Sequence, residues 1–484
     1  MIAAVVVALL LAAAWAPASE PSGAEGLPKG RLVEGVACAA DPLQTYSVFL
    51  PESYDPARQW PVLVVLDPGG RSVAAAGRFI EPAQELGWIV VSSDGTRSDV
   101  GMEPNQRAVN ALWPEIHERF ASDPRRIYLA GFSGTVGVAF LLARETGVVA
   151  GIIAAGGRFV EEVYAGNKAP VFAAAGDGDF NFQGMRTVHA RMLGDGVPTR
   201  FEAFSGRHEW MPPEIARHAV EWMELQAMRR ELRARDDGLL DRMLAAELAA
   251  AATLEAEGRG LEALRSYRAV VADFEGLRDV SSAGARATAL EADPEVTHAA
   301  ALELRWSERE QWERERINAE LQRFLATEPA PPPEVLAAEL EVARLERQAE
   351  GDEVEAATAR RVLAHLVSNL AFYLPRELLA AHRPGHAAAA LGVACQIEPD
   401  NPVYWYNRAC ALSLADRRSP ALDALERAVD VGFADVGLMR SDPDLEAVRD
   451  SDRFRALLAG IGGTPDGGGD EEEVEPSKAS GSEE

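Results

Sequence analysis

The sequence predicts two architectures in one chain: an α/β domain with a mostly parallel sheet, then an all-α helical domain. Three observations carry this. Short apolar runs at residues 61–66, 127–130 and 169–175 each empty into a turn of Gly, Asp or Ser, as strands covered on both faces do. After Pro212-Pro213 these strand signals stop, and the chain becomes rich in Ala, Leu, Glu and Arg, which favour helix. Finally, Ala387 and Ala394 recur 34 residues on as Ala421 and Ala428. That spacing is the length of one tetratricopeptide repeat.

Taken in order, residues 2–16 are wholly apolar and Ala16-Pro17-Ala18 follows. This predicts a signal peptide over residues 1–18 and a secreted or periplasmic protein. Fifteen apolar residues fall short of a membrane span, and an uncleaved N-terminal anchor is the only membrane contact the chain allows. A linker over 19–35 leads to the α/β domain at 36–230. The strand at 61–66 ends in Asp67-Pro68-Gly69-Gly70-Arg71, where glycines let backbone approach a ligand closely.

The strand at 127–130 runs into Gly131-Phe132-Ser133-Gly134-Thr135, and 136–144 reads as helix. This is the layout of a nucleophile elbow, with Thr135 where the last glycine of G-x-S-x-G usually stands. A serine hydroxyl needs a base, and the base an orienting acid. Downstream, the strand at 169–175 ends in Gly176-Asp177-Gly178-Asp179, and the alternating strand at 198–204 ends in Ser205-Gly206-Arg207-His208. Both loops follow the carboxyl ends of strands, where parallel sheets place their sites. Asp179 is preferred to Asp177 as acid because it lies further from the strand. His208 is preferred to His189, which sits on a helix face. For an oxyanion, Gly134 supplies one backbone N–H, and Gly69, Gly70 or Arg71 the second; Pro68 has none. Residues 92–103 form a polar loop on the same side.

These segments resemble the esterase and polyhydroxybutyrate-depolymerase-like branch of the α/β-hydrolases. The resemblance runs through Tyr46-Ser47-Val48-Phe49-Leu50-Pro51, the 66–70 loop, Gly87-Trp88-Ile89-Val90, Asp123-Pro124-Arg125-Arg126-Ile127-Tyr128, the elbow, Asp179-Phe180-Asn181 and His208-Glu209-Trp210. The chain is similar in particular to bacterial proteins that fuse such a hydrolase to tetratricopeptide-like helices. The resemblance implies Ser133 as nucleophile, Asp179 as acid and His208 as base, acting on an ester without a cofactor. Thr135 departs from the second glycine of those relatives. A serine peptidase would use the same residues, and an inactive scaffold carrying repeats is the reading from another class.

The helical half divides into 231–330, with one repeat-like unit at Gly258, Ala263, Tyr267 and Val270, and a repeat domain at 334–460. There Trp405, Ala409, Ala421, Leu425 and Ala428 take repeat packing positions, Asp416 the turn, and a protein or peptide is the expected partner. Residues 306–324 read as a highly charged helix with sparse apolar positions, in its plainest form part of a solvated helical hairpin, and 461–484 as a disordered acidic tail. The net charge of −28 excludes nucleic acid as a partner. Cys38, Cys395 and Cys410 are too few for a disulfide framework and read as buried thiols, and no Cys/His cluster has metal-ligand spacing.

Overall fold

The computed structural model describes residues 26–157, 161–351 and 353–461. The predicted signal peptide and nearly all of the predicted acidic tail lie outside the described residues. Compact structure divides into one unit ending at Leu302 and a second beginning at Glu303.

The first unit is built on an eight-stranded sheet: β1 (Leu32–Ala37), β2 (Thr45–Phe49), β3 (Trp60–Leu66), β4 (Ile89–Ser93), β5 (Ser122–Phe132), β6 (Val149–Ala155), β7 (Val171–Gly176) and β8 (Thr199–Phe204). The spatial order is β1-β2-β4-β3-β5-β6-β7-β8. Only the β1–β2 and β2–β4 pairings are antiparallel; every pairing from β4 to β8 is parallel. This is an α/β-hydrolase sheet with helices on both faces. Every residue of β3, β4, β6 and β7 is buried, which is why β3, β6 and β7 read as apolar runs. Helices 102–118, 135–146 and 182–194 cover one face through Leu112, Ile116, Ala139, Phe140, Met185 and Val188. Helices 72–77, 80–86 and 213–229 cover the other through Ala75, Ala83, Ala216, Val220 and Met223.

Register brings the loops together. Leu66 pairs with Gly131, Phe132 with Ala155, and Gly176 with Phe204. The loops after β3, β5, β6, β7 and β8 therefore leave the sheet at one edge and at one level.

Helices 237–256, 260–274 and 281–291 belong to this unit, so its compact part runs past the boundary expected at 230. The physical reason is a buried ionic cluster on β8. The alternation in 198–204 suggests one wet face. Instead Arg200, 8% exposed, donates to Glu247 (2.8 Å), Asp273 (2.9 Å) and Glu202 (3.1 Å). His218 bridges Glu202 (2.7 Å) and Glu247, and Trp222 donates to Asp273 (2.9 Å). The polar face of β8 is thus covered by the helices carrying Glu247 and Asp273. Helix 213–229 packs on the sheet with one face and on these helices with Leu225 and Met228.

The second unit is all helix. The 306–324 segment is not a hairpin. It lies within a single helix, Pro294–Ala326, because Ile317, Leu321 and Phe324 form a buried stripe. Two of its acids are buried and paired rather than solvated: Glu310, 1% exposed, meets Arg361 (2.7 Å), and Glu313 meets Arg344 (2.9 Å). Helices 384–397, 402–414 and 418–430 pack successively. Ala387, Ala394, Ala409, Ala421, Leu425 and Ala428 are fully buried between them. Trp405 is only part-buried, its indole donating to the Pro399 carbonyl (2.8 Å). The buried aromatic of that helix is Tyr406, stacked on Phe433 at 4.2 Å and bonded to Asp442 (2.7 Å). All three cysteines are buried and free. Burial pushes the Cys38 and Cys395 thiols up to about 12.

Candidate active site

Ser133 sits between β5 and helix 135–146 at φ +52°, a left-handed backbone that the sharp turn forces on a non-glycine residue. Its N–H donates to Ala155 (2.9 Å), tying the turn to the end of β6. Gly131 allows the helix to return so closely: a Cβ there would lie 2.8 Å from Thr135 O and Val136 N. Thr135 does not crowd the elbow. Its side chain is fully buried, its hydroxyl accepts the Phe132 N–H (3.1 Å), and the carbonyls of Leu66 and Phe132 lie within reach of its proton. The hydroxyl therefore links the ends of β3 and β5 beside Ser133.

His208 Nε2 lies 2.9 Å from Ser133 Oγ, and Nδ1 lies 3.0 Å from each carboxylate oxygen of Asp179. With the Nδ1 proton facing the carboxylate, Nε2 presents its lone pair to the serine hydroxyl. Asp179 is fully buried and also accepts the Asn181 N–H (2.7 Å). Asp177 is exposed and accepts the Gly206 N–H at 3.3 Å, steadying the histidine loop without touching the imidazole. His189 lies outside this group, against Phe201 and 3.2 Å from the Thr199 hydroxyl; burial lowers its pKa to about 4.

The Gly134 amide joins no hydrogen bond among the described residues and is exposed. The expected second donors differ. Gly69 N–H and Arg71 N–H both donate to Asp67 Oδ1 (2.8 and 3.1 Å), and Gly70 N–H donates to the Asp67 carbonyl (3.2 Å). All three amides are engaged within the turn. The reason is Asp67 itself. Its carboxylate is 1% exposed and gathers the Gly69 and Arg71 amides together with Arg71 Nε (3.2 Å) and Trp210 Nε1 (2.8 Å), while its carbonyl takes the Gly70 amide. An Asp opening a Pro-Gly-Gly turn is a turn former through its side chain, and that was the available signal. The 92–103 loop reaches the site at Ser98. A Cβ on Gly134 would lie 2.6 Å from Ser98 Cβ, and Ser98 N–H donates to Pro68 (2.9 Å).

Gly156, at φ +48°, forms the floor. A Cβ there would meet Asp179 Oδ2 at 2.7 Å, Phe132 at 2.9 Å and His208 Nδ1 at 3.3 Å. Sequence reasoning missed this glycine, together with Phe132, Phe180 and Trp210 around the histidine, because an aromatic or a glycine next to a polar residue has no sequence signature of its own.

Two groups among the described residues have metal-like donor spacing: Glu202-His218-Glu247 and Cys410-Asp442-Asp444. Neither fits an ion. Both nitrogens of His218 face carboxylates, and Arg200 already supplies positive charge. Asp442 accepts from Tyr406 and Cys410, whose thiol is pushed well above its usual range by burial and then by Asp442.

No family model and no curated protein matches the chain. Similar solved structures include a fluorophosphonate-binding serine hydrolase of Staphylococcus aureus with substrate bound, at 15% identity, covering 40% of this chain and 97% of that one, with a TM-score of 0.33. They also include the S-formylglutathione hydrolase of the same organism (14%, 40% and 97%, 0.33) and Est1E from Butyrivibrio proteoclasticus (14%, 40% and 98%, 0.32). At these identities and scores the likeness identifies no substrate or reaction for this chain.

Proposed function

We propose that the first unit is a serine hydrolase that cleaves carboxylic esters through an acyl-enzyme. The observation that carries this is the continuous line from Ser133 Oγ through His208 to the buried Asp179 carboxylate, at 2.9 and 3.0 Å. His208 Nε2 takes the proton as Ser133 Oγ attacks the ester carbonyl, and Asp179 holds the imidazole and balances the imidazolium. The Gly134 amide faces the developing oxyanion. The same Nε2 then protonates the leaving alcohol. Water, activated in the same way, releases the acid and restores the serine. No step calls for a cofactor.

The amides taken up by Asp67 favour a second reading, a hydrolase fold that serves as a scaffold. One experiment separates the two. Full-length protein is treated with a fluorophosphonate and assayed on 4-nitrophenyl acetate and butyrate. Labelling at Ser133, with turnover abolished in Ser133→Ala, is expected; a wild-type chain that neither labels nor turns over establishes the scaffold. Amide substrates in the same assay test for a peptidase. The successive helices over 384–430, with their buried alanines, support a further role for the second unit in holding a protein or peptide partner. The apolar residues 2–16 support export.

A further inference from the structure

We propose that Phe180 and Phe132 clamp the His208 imidazole, fixing its plane and steadying the imidazolium that forms in the transition state, so that Phe180 is a positioning residue. The inference rests on the triad reading above. Hydrogen bonds at Nδ1 and Nε2 set where the ring nitrogens point, but they tolerate small rocking of the ring about the Cβ–Cγ bond. Contact with the ring faces narrows that rocking. The Phe180 centroid lies 4.3 Å from that of His208 with the planes 37° apart, and Phe132 lies at 4.8 Å and 33°. Each phenylalanine is the chain neighbour of a triad member, Phe132 of Ser133 and Phe180 of Asp179. One short segment therefore sets both the hydrogen bond and the face contact.

The two jaws differ in stiffness. Phe132 is buried and backed by Trp210 at 5.5 Å, whose indole is held by Asp67 and whose far side meets Phe79 edge-on at 6.1 Å. Gly156 closes the space beneath Phe132 and Nδ1. Phe180 is only part-buried at the mouth of the site, so it can be altered without opening the core. Aromatic faces are electronegative and attract cations. The imidazolium exists only once the serine proton has moved, so the attraction acts on the transition state more than on the resting enzyme.

The test uses full-length Phe180→Leu, Phe180→Tyr and a series of progressively fluorinated phenylalanines at 180. Turnover of 4-nitrophenyl acetate and butyrate is read alongside the ring-proton NMR signals of His208 in protein labelled at histidine, of which there are eight. Phe180→Leu should lower kcat about threefold to tenfold with KM nearly unchanged. Phe180→Tyr should restore it, and each added fluorine should lower log kcat a further step. His208 ring protons should carry an upfield ring-current shift that Phe180→Leu removes. An unchanged kcat in Phe180→Leu, a flat fluorine series, or an effect on KM alone overturns the clamp; the last would make Phe180 a wall of the substrate site. If the wild type turns over no ester, the triad reading fails. The ring-current shift then judges the clamp by itself: present and lost in Phe180→Leu, it stands; absent, it falls.

Discussion

Restoring the missing glycine of the elbow should damage this protein. Thr135 is fully buried, and its hydroxyl is the partner of Phe132 N–H and within reach of the Leu66 carbonyl. Thr135→Gly takes away the partner of these groups, at about 1–3 kcal/mol for each buried polar group left unpaired. Loss of the methyl and the added backbone freedom contribute about 1 kcal/mol more. The sum is on the order of 3–7 kcal/mol. Thr135→Val keeps the shape and loses only the hydroxyl, so about 2–3 kcal/mol is expected, whereas Thr135→Ser should cost roughly 1 kcal/mol. The order wild type, Ser, then Val and Gly is diagnostic, because filling space alone would place Val above Ser. Stability of this unit can be read in the full chain by pulsed alkylation of the buried Cys38 against urea, followed by peptide mass spectrometry. A midpoint lowered by about 1 M is expected for Thr135→Gly. A Gly variant as stable as wild type would refute the argument.

Gly156→Ala places a methyl within 2.7 Å of Asp179 Oδ2 on a left-handed backbone. Esterase turnover should fall at least about tenfold, since misplacing a triad member by a fraction of an ångström disables it; unchanged turnover would contradict the geometry. Partial burial of His218 lowers its pKa, but Glu202 and Glu247 outweigh this and raise it to about 10. Burial raises that of Glu247, but the His218 hydrogen bond and Arg200 outweigh it, to about 2. The histidine contribution is complete below its unfolded pKa of about 6.5 and is lost as pH rises through 10; that of Glu247 is present above about 4.5 and is lost as pH falls through 2. Cys38 protection against urea should therefore decline on both sides of roughly pH 4.5–6.5, and the alkaline decline should be absent in His218→Gln. In the second unit, Tyr406→Ala should cost about 3–5 kcal/mol, and Trp405→Ala clearly less, by alkylation of Cys410; the reverse order would contradict the burial.

The sequence by itself determined where the strands lie and which residues follow their carboxyl ends. Full burial of β3, β6 and β7 imposes apolar runs, and a parallel sheet puts its loops on one edge, so Ser133, His208 and an aspartate of the 177–179 turn could be named as candidates from order alone. It also placed Ala387, Ala409 and Ala421 at helix crossings, because only small side chains fit there. Tertiary structure alone decided what shares a residue's surroundings. Which of Asp177 and Asp179 meets the imidazole depends on how the loop after β7 turns. The amides of Gly69 and Arg71 turn inward because the buried Asp67 carboxylate needs donors. The alternation of β8 marks a polar face but not its cover, and Glu247 and Asp273, 47 and 73 residues beyond Arg200, supply it. The Trp405–Tyr406 pair shows the same limit: adjacent aromatics differ by 100° around a helix, and only the neighbouring helices settle which one is buried.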